Sequence, residues 1–141
     1  GNVAQLQEKL QKLLMQSVSY YDTMGENFYH DLTLGLCAVM DSSYRVMSNR
    51  EVGDGRCDIC MQPKKNDLPG IILEFKAARN VSEDDLKKLS RKALKQIDDR
   101  HYDRVFSNEE VRSVLKYGIA FSGKNVEIAA ESDFHGTAER I

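Results

Sequence analysis

The stretch Gly70-Ile-Ile-Leu-Glu-Phe-Lys-Ala77 places two charged residues inside an apolar run of the kind that forms a β-strand. Because strand side chains alternate between the two faces, Glu74 and Lys76 are expected to project from the same face as Ile72. The other face is apolar throughout and consists of Ile71, Leu73 and Phe75. Charged residues are rare in a buried strand, so this pair needs a compensating interaction, and a simple ion pair is one explanation.

A second carboxylate, Asp58, interrupts the apolar run that comes before this strand in the chain. Two carboxylates from adjacent strands can hold a divalent cation, because Mg²⁺ prefers oxygen ligands and completes its shell with water and substrate phosphate. A lysine beside such a cation can orient or deprotonate the attacking water, while the metal stabilises charge that develops on a phosphodiester. Asp58, Glu74 and Lys76 therefore indicate a hydrolase of phosphodiesters that uses Mg²⁺ or Mn²⁺.

The remaining sequence predicts an α/β fold. Apolar residues at three- and four-residue spacing predict helices over 3–21 and 26–40, separated by a break that ends at Gly25. Short runs of β-branched and aromatic residues bounded by turn residues predict strands near 44–48, 56–62 and 70–77, and a closing hairpin of 114–121 and 125–130. With a helix over 83–104, the order α-α-β-β-β-α-β-β is typical of a mixed sheet flanked by helices.

The predicted helix over 83–104 carries an apolar stripe and a basic stripe. Ser82 followed by acidic residues is a favourable helix start. The apolar stripe consists of Leu86, Leu89, Ala93 and Ile97. The basic stripe, at four-residue spacing, consists of Lys87, Arg91 and Lys95. Such a stripe suits a phosphate backbone, although a solvated helix face has the same pattern.

Composition limits the remaining classes. The chain has 141 residues, about the length of one domain, and a net charge of −2, so any phosphate-binding surface must be local. With 41% hydrophobic residues, no apolar stretch long enough to span a bilayer and no export leader, we expect a cytoplasmic protein with no membrane partner. Cys57 and Cys60 could form half of a zinc site, but there is no second cysteine pair, and their strand spacing points them to opposite faces.

Five motifs occur in order along the chain. They are Glu26-Asn-Phe-Tyr-His30, Ser48-Asn-Arg-Glu51-x-Gly-x-Gly-Arg56-x-Asp58, Ile72-Leu-Glu74-Phe-Lys76, Ala93-Leu-x-Gln96-Ile97 and Tyr117-Gly-Ile-Ala-Phe121-x-Gly-Lys124. Together they resemble the PD-(D/E)XK nuclease superfamily, and more closely the nuclease domain that follows an AAA-ATPase-like domain in bacterial proteins. The resemblance implies a restriction-endonuclease-like core over residues 26–131. Residues 1–25 would then be a helix that links to a preceding domain, and residues 132–141 a C-terminal tail.

The same resemblance implies roles for individual residues. The metal ligands for Mg²⁺ or Mn²⁺ would be Asp58 and Glu74, with Glu26 contributing directly or through water. Lys76 would activate the attacking water and Gln96 would line the site, although Gln96 could instead face solvent and Glu26 could serve only the helix dipole. Glu51 and Arg56 would support the site without a chemical step. Many relatives have tyrosine four residues after the glutamine, where this chain has Arg100.

The leading hypothesis is a metal-dependent nuclease that acts on DNA. Its partners would be nucleic acid and an AAA-ATPase-like domain in the full-length chain, with homo-oligomerisation left open. One alternative is a catalytically silent module of the same fold that binds nucleic acid or docks onto the ATPase domain. Another is a protein-interaction domain whose carboxylates are purely structural, which predicts no stabilisation by metal.

Overall fold

Strand β3, Gly70–Ala77, is the middle strand of a five-stranded sheet in the computed structural model of the chain. The sheet order is β1-β2-β3-β4-β5, and the other strands are β1 Tyr44–Val52, β2 Gly55–Pro63, β4 Ser113–Ser122 and β5 Asn125–Phe134. Strands β3 and β4 are parallel, and the other neighbouring pairs are antiparallel. The predicted mixed sheet of an α/β fold is therefore confirmed.

The structure describes residues 43–52, 55–65, 68–100, 111, 113–122 and 125–134, together with Glu8, Lys12, Gly35 and Ala38. Those four single residues fall within the two predicted N-terminal helices and are helical. The rest of both segments lies outside the described residues. Within the described part of the chain, no helix is long and apolar enough to cross a membrane.

Helix α1, Glu83–Asp99, connects β3 to β4 and packs on one face of the sheet. It begins as predicted, because the Ser82 hydroxyl accepts a hydrogen bond from the Asp85 backbone N–H at 3.1 Å. It ends at Asp99, so the predicted end at 104 is wrong. The next residues on the side of Ile97 are Arg100 and His101, which are costly to bury, so a further turn would gain little packing.

Each face of the sheet has its own apolar cluster, as the alternation in β3 predicts. The face under α1 buries Cys60, Ile72 and Val114 against Ile97 of the helix. The opposite face buries Ile71, Leu73 and Phe75 with the largest aromatic side chains of β4, which are Tyr117 and Phe121. The two charged residues of β3 therefore lie on the face that α1 covers.

The buried side of α1 differs in one position from the predicted apolar stripe. The structure buries Leu86, Ser90, Ala93 and Ile97, whereas Leu89 is only partly buried. Ser90 lies on the buried side instead of Leu89. It can be buried because its hydroxyl donates to the Lys87 carbonyl oxygen at 2.7 Å and therefore needs no partner elsewhere.

Gly118 on β4 allows α1 to approach the sheet closely. It pairs with Glu74 across the parallel ladder, and a Cβ atom there would overlap the Ser90 carbonyl oxygen and the Leu94 backbone nitrogen. A larger residue would hold the helix away from the sheet. An isolated glycine in a strand is the usual sign of such an approach.

Two further features concern β4 and the edge strand β5. Lys116, only 2% exposed, donates from Nζ to Asp98 Oδ1 at 2.6 Å and ties the end of α1 to β4. Strand β5 continues to Phe134, beyond the predicted strand end at 130 and into the segment assigned to a tail. Its last residues pair with the start of β4, and main-chain pairing of this kind requires no apolar pattern.

Candidate active site

Asp58 lies where the pairing between β2 and β3 ends. The paired residues run from Met61 to Ile59, which is opposite Leu73. One residue further, the Phe75 backbone N–H donates to Asp58 Oδ2 at 2.8 Å. The carboxylate thus takes the place of a main-chain partner, and this bond holds it beside the neighbouring residue Glu74 on β3.

A chain of hydrogen bonds joins the helix to the two charged residues of β3. Gln96 Nε2 donates to Glu74 Oε2 at 2.7 Å, and Lys76 Nζ donates to Gln96 Oε1 at 2.8 Å. The amide is therefore oriented by charge at both ends, with its oxygen toward the ammonium and its nitrogen toward the carboxylate. Gln96 faces the site and not solvent, and no direct ion pair between Glu74 and Lys76 is needed to explain their positions.

Burial makes the two carboxylates difficult to ionise together. Glu74 is 5% exposed, and burial followed by the charge of Asp58 raises its pKa to about 8, against the opposing effect of Lys76. Burial also raises the pKa of Asp58, while the hydrogen bond from Phe75 and the charge of Lys76 act in the other direction. A cation placed between the carboxylates would relieve both effects.

One oxygen of the Glu74 carboxylate has no hydrogen-bond partner among the described residues. Among the described residues, no group donates a hydrogen bond to the buried Oε1 atom of Glu74. Such an atom is costly unless something binds it. Two neighbouring carboxylates with an unused buried oxygen suit a divalent cation, which accepts carboxylate oxygens and retains some of its water. The described residues contain no cluster of three or more His, Cys, Asp or Glu side chains that could hold a metal, so side chains of these types supply at most two ligands from this part of the chain.

Comparison with known families agrees with this geometry. Residues 24–131 match the family profile of the PD-(D/E)XK nuclease superfamily. The chain belongs to this superfamily. Members of the superfamily generally hydrolyse phosphodiester bonds and typically use divalent metals.

Two other comparisons concern curated proteins and solved structures. No match was found among curated proteins. Among solved structures, the crystal structure of SSO0001 matches this PD-(D/E)XK chain with 20% sequence identity and a TM-score of 0.34. The match covers 93% of this chain and 68% of that one.

Three residues expected at the PD-(D/E)XK site fall wholly or partly outside the described structure. Glu26 lies outside the described residues. Glu51 and Arg56 are paired with each other across the β1–β2 hairpin through their backbones, and their side chains are not among those described. Their roles as a metal ligand and as supporting residues stay predictions.

The predicted basic stripe lies away from the Gln96 side of α1. At 3.6 residues per turn, Lys95, Arg91 and Lys87 point about 100°, 140° and 180° away from Gln96. Lys87 pairs with Glu83 at 3.4 Å and Lys95 with Asp99 at 3.3 Å, both between exposed side chains. Nothing in these contacts shows a role in binding nucleic acid, which stays a prediction.

Sequence reasoning did not identify two contributors to this site. The backbone N–H of Phe75 orients Asp58, and no side-chain pattern could indicate it. Gly118 determines how closely α1 packs over Glu74. A glycine inside a buried strand is the sequence signal that could have indicated this close packing.

Proposed function

We propose that this PD-(D/E)XK chain is a metal-dependent nuclease that hydrolyses phosphodiester bonds in DNA. The observation that carries the proposal is the pair formed by the half-buried Asp58 and the buried Glu74. One oxygen of Glu74 is unused, and Lys76 is joined to Glu74 through the Gln96 amide. A purely structural cluster would be expected to satisfy that oxygen within the protein. In a site that a cation completes, this oxygen has no partner until the cation binds.

Each residue of the cluster has a separate task in this proposal. Asp58 and Glu74 hold the cation, Mg²⁺ or Mn²⁺, and Glu26 contributes a further carboxylate directly or through water. When bound, the cation stabilises negative charge that develops on the phosphate and acidifies bound water. Lys76 Nζ orients the attacking water. Gln96 holds the side chains of Lys76 and Glu74 in position through its two hydrogen bonds. Water adds to phosphorus and the bond to the 3′ oxygen breaks, which leaves a 5′-phosphate and a 3′-hydroxyl.

The domain organisation follows from the same proposal. The nuclease domain would comprise residues 26–134, because β5 ends at Phe134, with residues 1–25 as a linking helix and residues 135–141 as a tail. An AAA-ATPase-like domain in the full-length chain would be its partner, and assembly into a homo-oligomer is compatible with the fold. Such a protein would act in the cytoplasm of a bacterial cell, where its DNA substrate is accessible.

Cleavage of end-labelled single- and double-stranded DNA tests the proposal. The chain should cut in Mg²⁺ or Mn²⁺ and not in EDTA, and Glu74→Ala and Lys76→Ala should each reduce the rate by at least about a hundredfold. The matched controls Asp84→Ala and Lys88→Ala remove the same charges from exposed positions of α1 and should cut normally. Absence of cutting, together with absence of any metal-dependent rise in melting temperature, would instead support a silent binding module.

A further inference from the structure

Arg100 is the C-cap residue that follows α1, at the edge of the helix that faces the carboxylates. It follows Gln96 by one helical turn, and its backbone N–H donates to the Gln96 carbonyl oxygen at 2.9 Å. The side chain therefore projects about 40° from that of Gln96, much closer than any residue of the predicted basic stripe. Because Gln96 reaches Glu74 directly, Arg100 lies next to the same cluster.

The charge of Arg100 acts on the site while its hydrogen-bond donors remain available. Burial and Asp58 raise the pKa of Glu74, and Arg100 is among the cations that oppose this rise. Yet Arg100 is exposed and forms no salt bridge or side-chain hydrogen bond with any described residue. By contrast, Lys76 already donates to Gln96. Arg100 is thus a cation near the carboxylates with its guanidinium facing solvent.

An anionic substrate needs such a group. A phosphodiester that approaches two carboxylates is repelled until positive charge compensates it. A guanidinium offers a planar fork of donors that matches two oxygens of a phosphate, and it stays charged at every working pH. The neighbouring acid Asp99 is bridged by Lys95.

We infer that Arg100 binds a phosphate of the substrate strand next to the Asp58–Glu74 pair, and that this edge of α1, rather than the stripe of Lys87, Arg91 and Lys95, guides the nucleic acid. The inference rests on the proposed nuclease function and names the residue that positions its substrate. A role confined to helix stability is the competing explanation, since a cation at a helix C-terminus also favours the helix dipole. That role would change the melting temperature without changing how DNA binding depends on salt.

Binding of fluorescent oligonucleotides in Ca²⁺, measured by anisotropy over a range of KCl concentrations, separates these explanations. Arg100→Gln should weaken binding about tenfold and lower the slope of log affinity against log salt by about one. Arg45→Gln is the matched control, because it removes the same charge from an exposed position of β1, and it should change affinity less than about twofold. Arg100→Lys should keep the slope and recover part of the affinity, because it keeps the charge and loses the fork.

The outcomes distinguish the inference from the function on which it rests. If the unaltered chain cuts DNA but Arg100→Gln binds like Arg45→Gln, the nuclease proposal stands and the role of Arg100 is refuted. A lower melting temperature for Arg100→Gln with an unchanged salt slope would also refute it. If the unaltered chain neither binds nor cuts DNA, both proposals fail.

Discussion

Replacing Glu74 by glutamine should make the metal-free protein more stable at alkaline pH. The folded-state pKa of Glu74 is about 8, compared with an ordinary value of 4.5, so between these values the folded chain holds a proton that the unfolded chain has released. The free energy of unfolding therefore falls as pH rises through this interval, by up to about 1.4 kcal/mol per unit. Glutamine cannot ionise and keeps an oxygen that can accept from Gln96 Nε2.

The magnitude follows from that interval. Glu74 is 5% exposed, so solvent screens little of the effect, and the cumulative loss in the unaltered chain amounts to about 3–5 kcal/mol by pH 8.5. Glu74→Gln and the unaltered chain should therefore be similar near pH 4.5 and differ by about this amount at pH 8.5. The rise in the pKa of Asp58 adds to the fall in stability of the unaltered chain with rising pH.

Urea unfolding followed by circular dichroism in EDTA, at pH steps from 5 to 8.5, measures this difference. The exposed variant Asp84→Asn controls for the loss of one carboxylate and should follow the unaltered chain with a constant offset. Adding Mn²⁺ at pH 8 should raise the stability of the unaltered chain and leave Glu74→Gln nearly unchanged, because binding to the native state is what stabilises it. A difference that stays constant from pH 5 to 8.5 would refute the account of Glu74.

Three further substitutions test the packing around the site. Gly118→Ala should lower the free energy of unfolding by about 1–3 kcal/mol and also reduce cleavage, because α1 must move off the sheet that holds Glu74; thermal melts and the DNA assay check this. Tyr117→Phe should raise stability by about 1 kcal/mol in urea unfolding, because the buried hydroxyl has no hydrogen-bond partner among the described residues. Asp98→Asn should lower stability by about 1–3 kcal/mol, because it removes the charge that meets the buried Lys116 ammonium; an unchanged melting temperature would contradict this.

The sequence predicts the middle strand of this fold better than it predicts where α1 and β5 end. The alternation in β3 assigns Glu74 and Lys76 to one face, and the structure places both on the face under α1. The end of α1 at Asp99 and the extension of β5 to Phe134 were not predicted. A helix end depends on whether another turn can pack, and an edge strand depends on its neighbour's backbone, so neither is encoded in a local pattern.

The chemistry of the site was only partly accessible from the sequence. Residue type and order indicate Asp58, Glu74, Lys76 and Gln96 as a group, chiefly through resemblance to a family. They do not show that Gln96 bridges the lysine and the glutamate, or that one oxygen of Glu74 is unused. These features arise from the distance between helix and sheet, which contacts between residues far apart in the chain determine.

Binding of Mn²⁺ tests most directly the central claim that Asp58 and Glu74 form a metal site. Electron paramagnetic resonance of free Mn²⁺ during a titration gives the number of ions bound by the unaltered chain, by Asp58→Asn and by the exposed control Asp84→Asn. We predict that the unaltered chain and the control bind Mn²⁺ equally and that Asp58→Asn, which can still accept from the Phe75 N–H, binds at least about tenfold more weakly. Equal binding by all three proteins, or no binding by the unaltered chain, would contradict the claim.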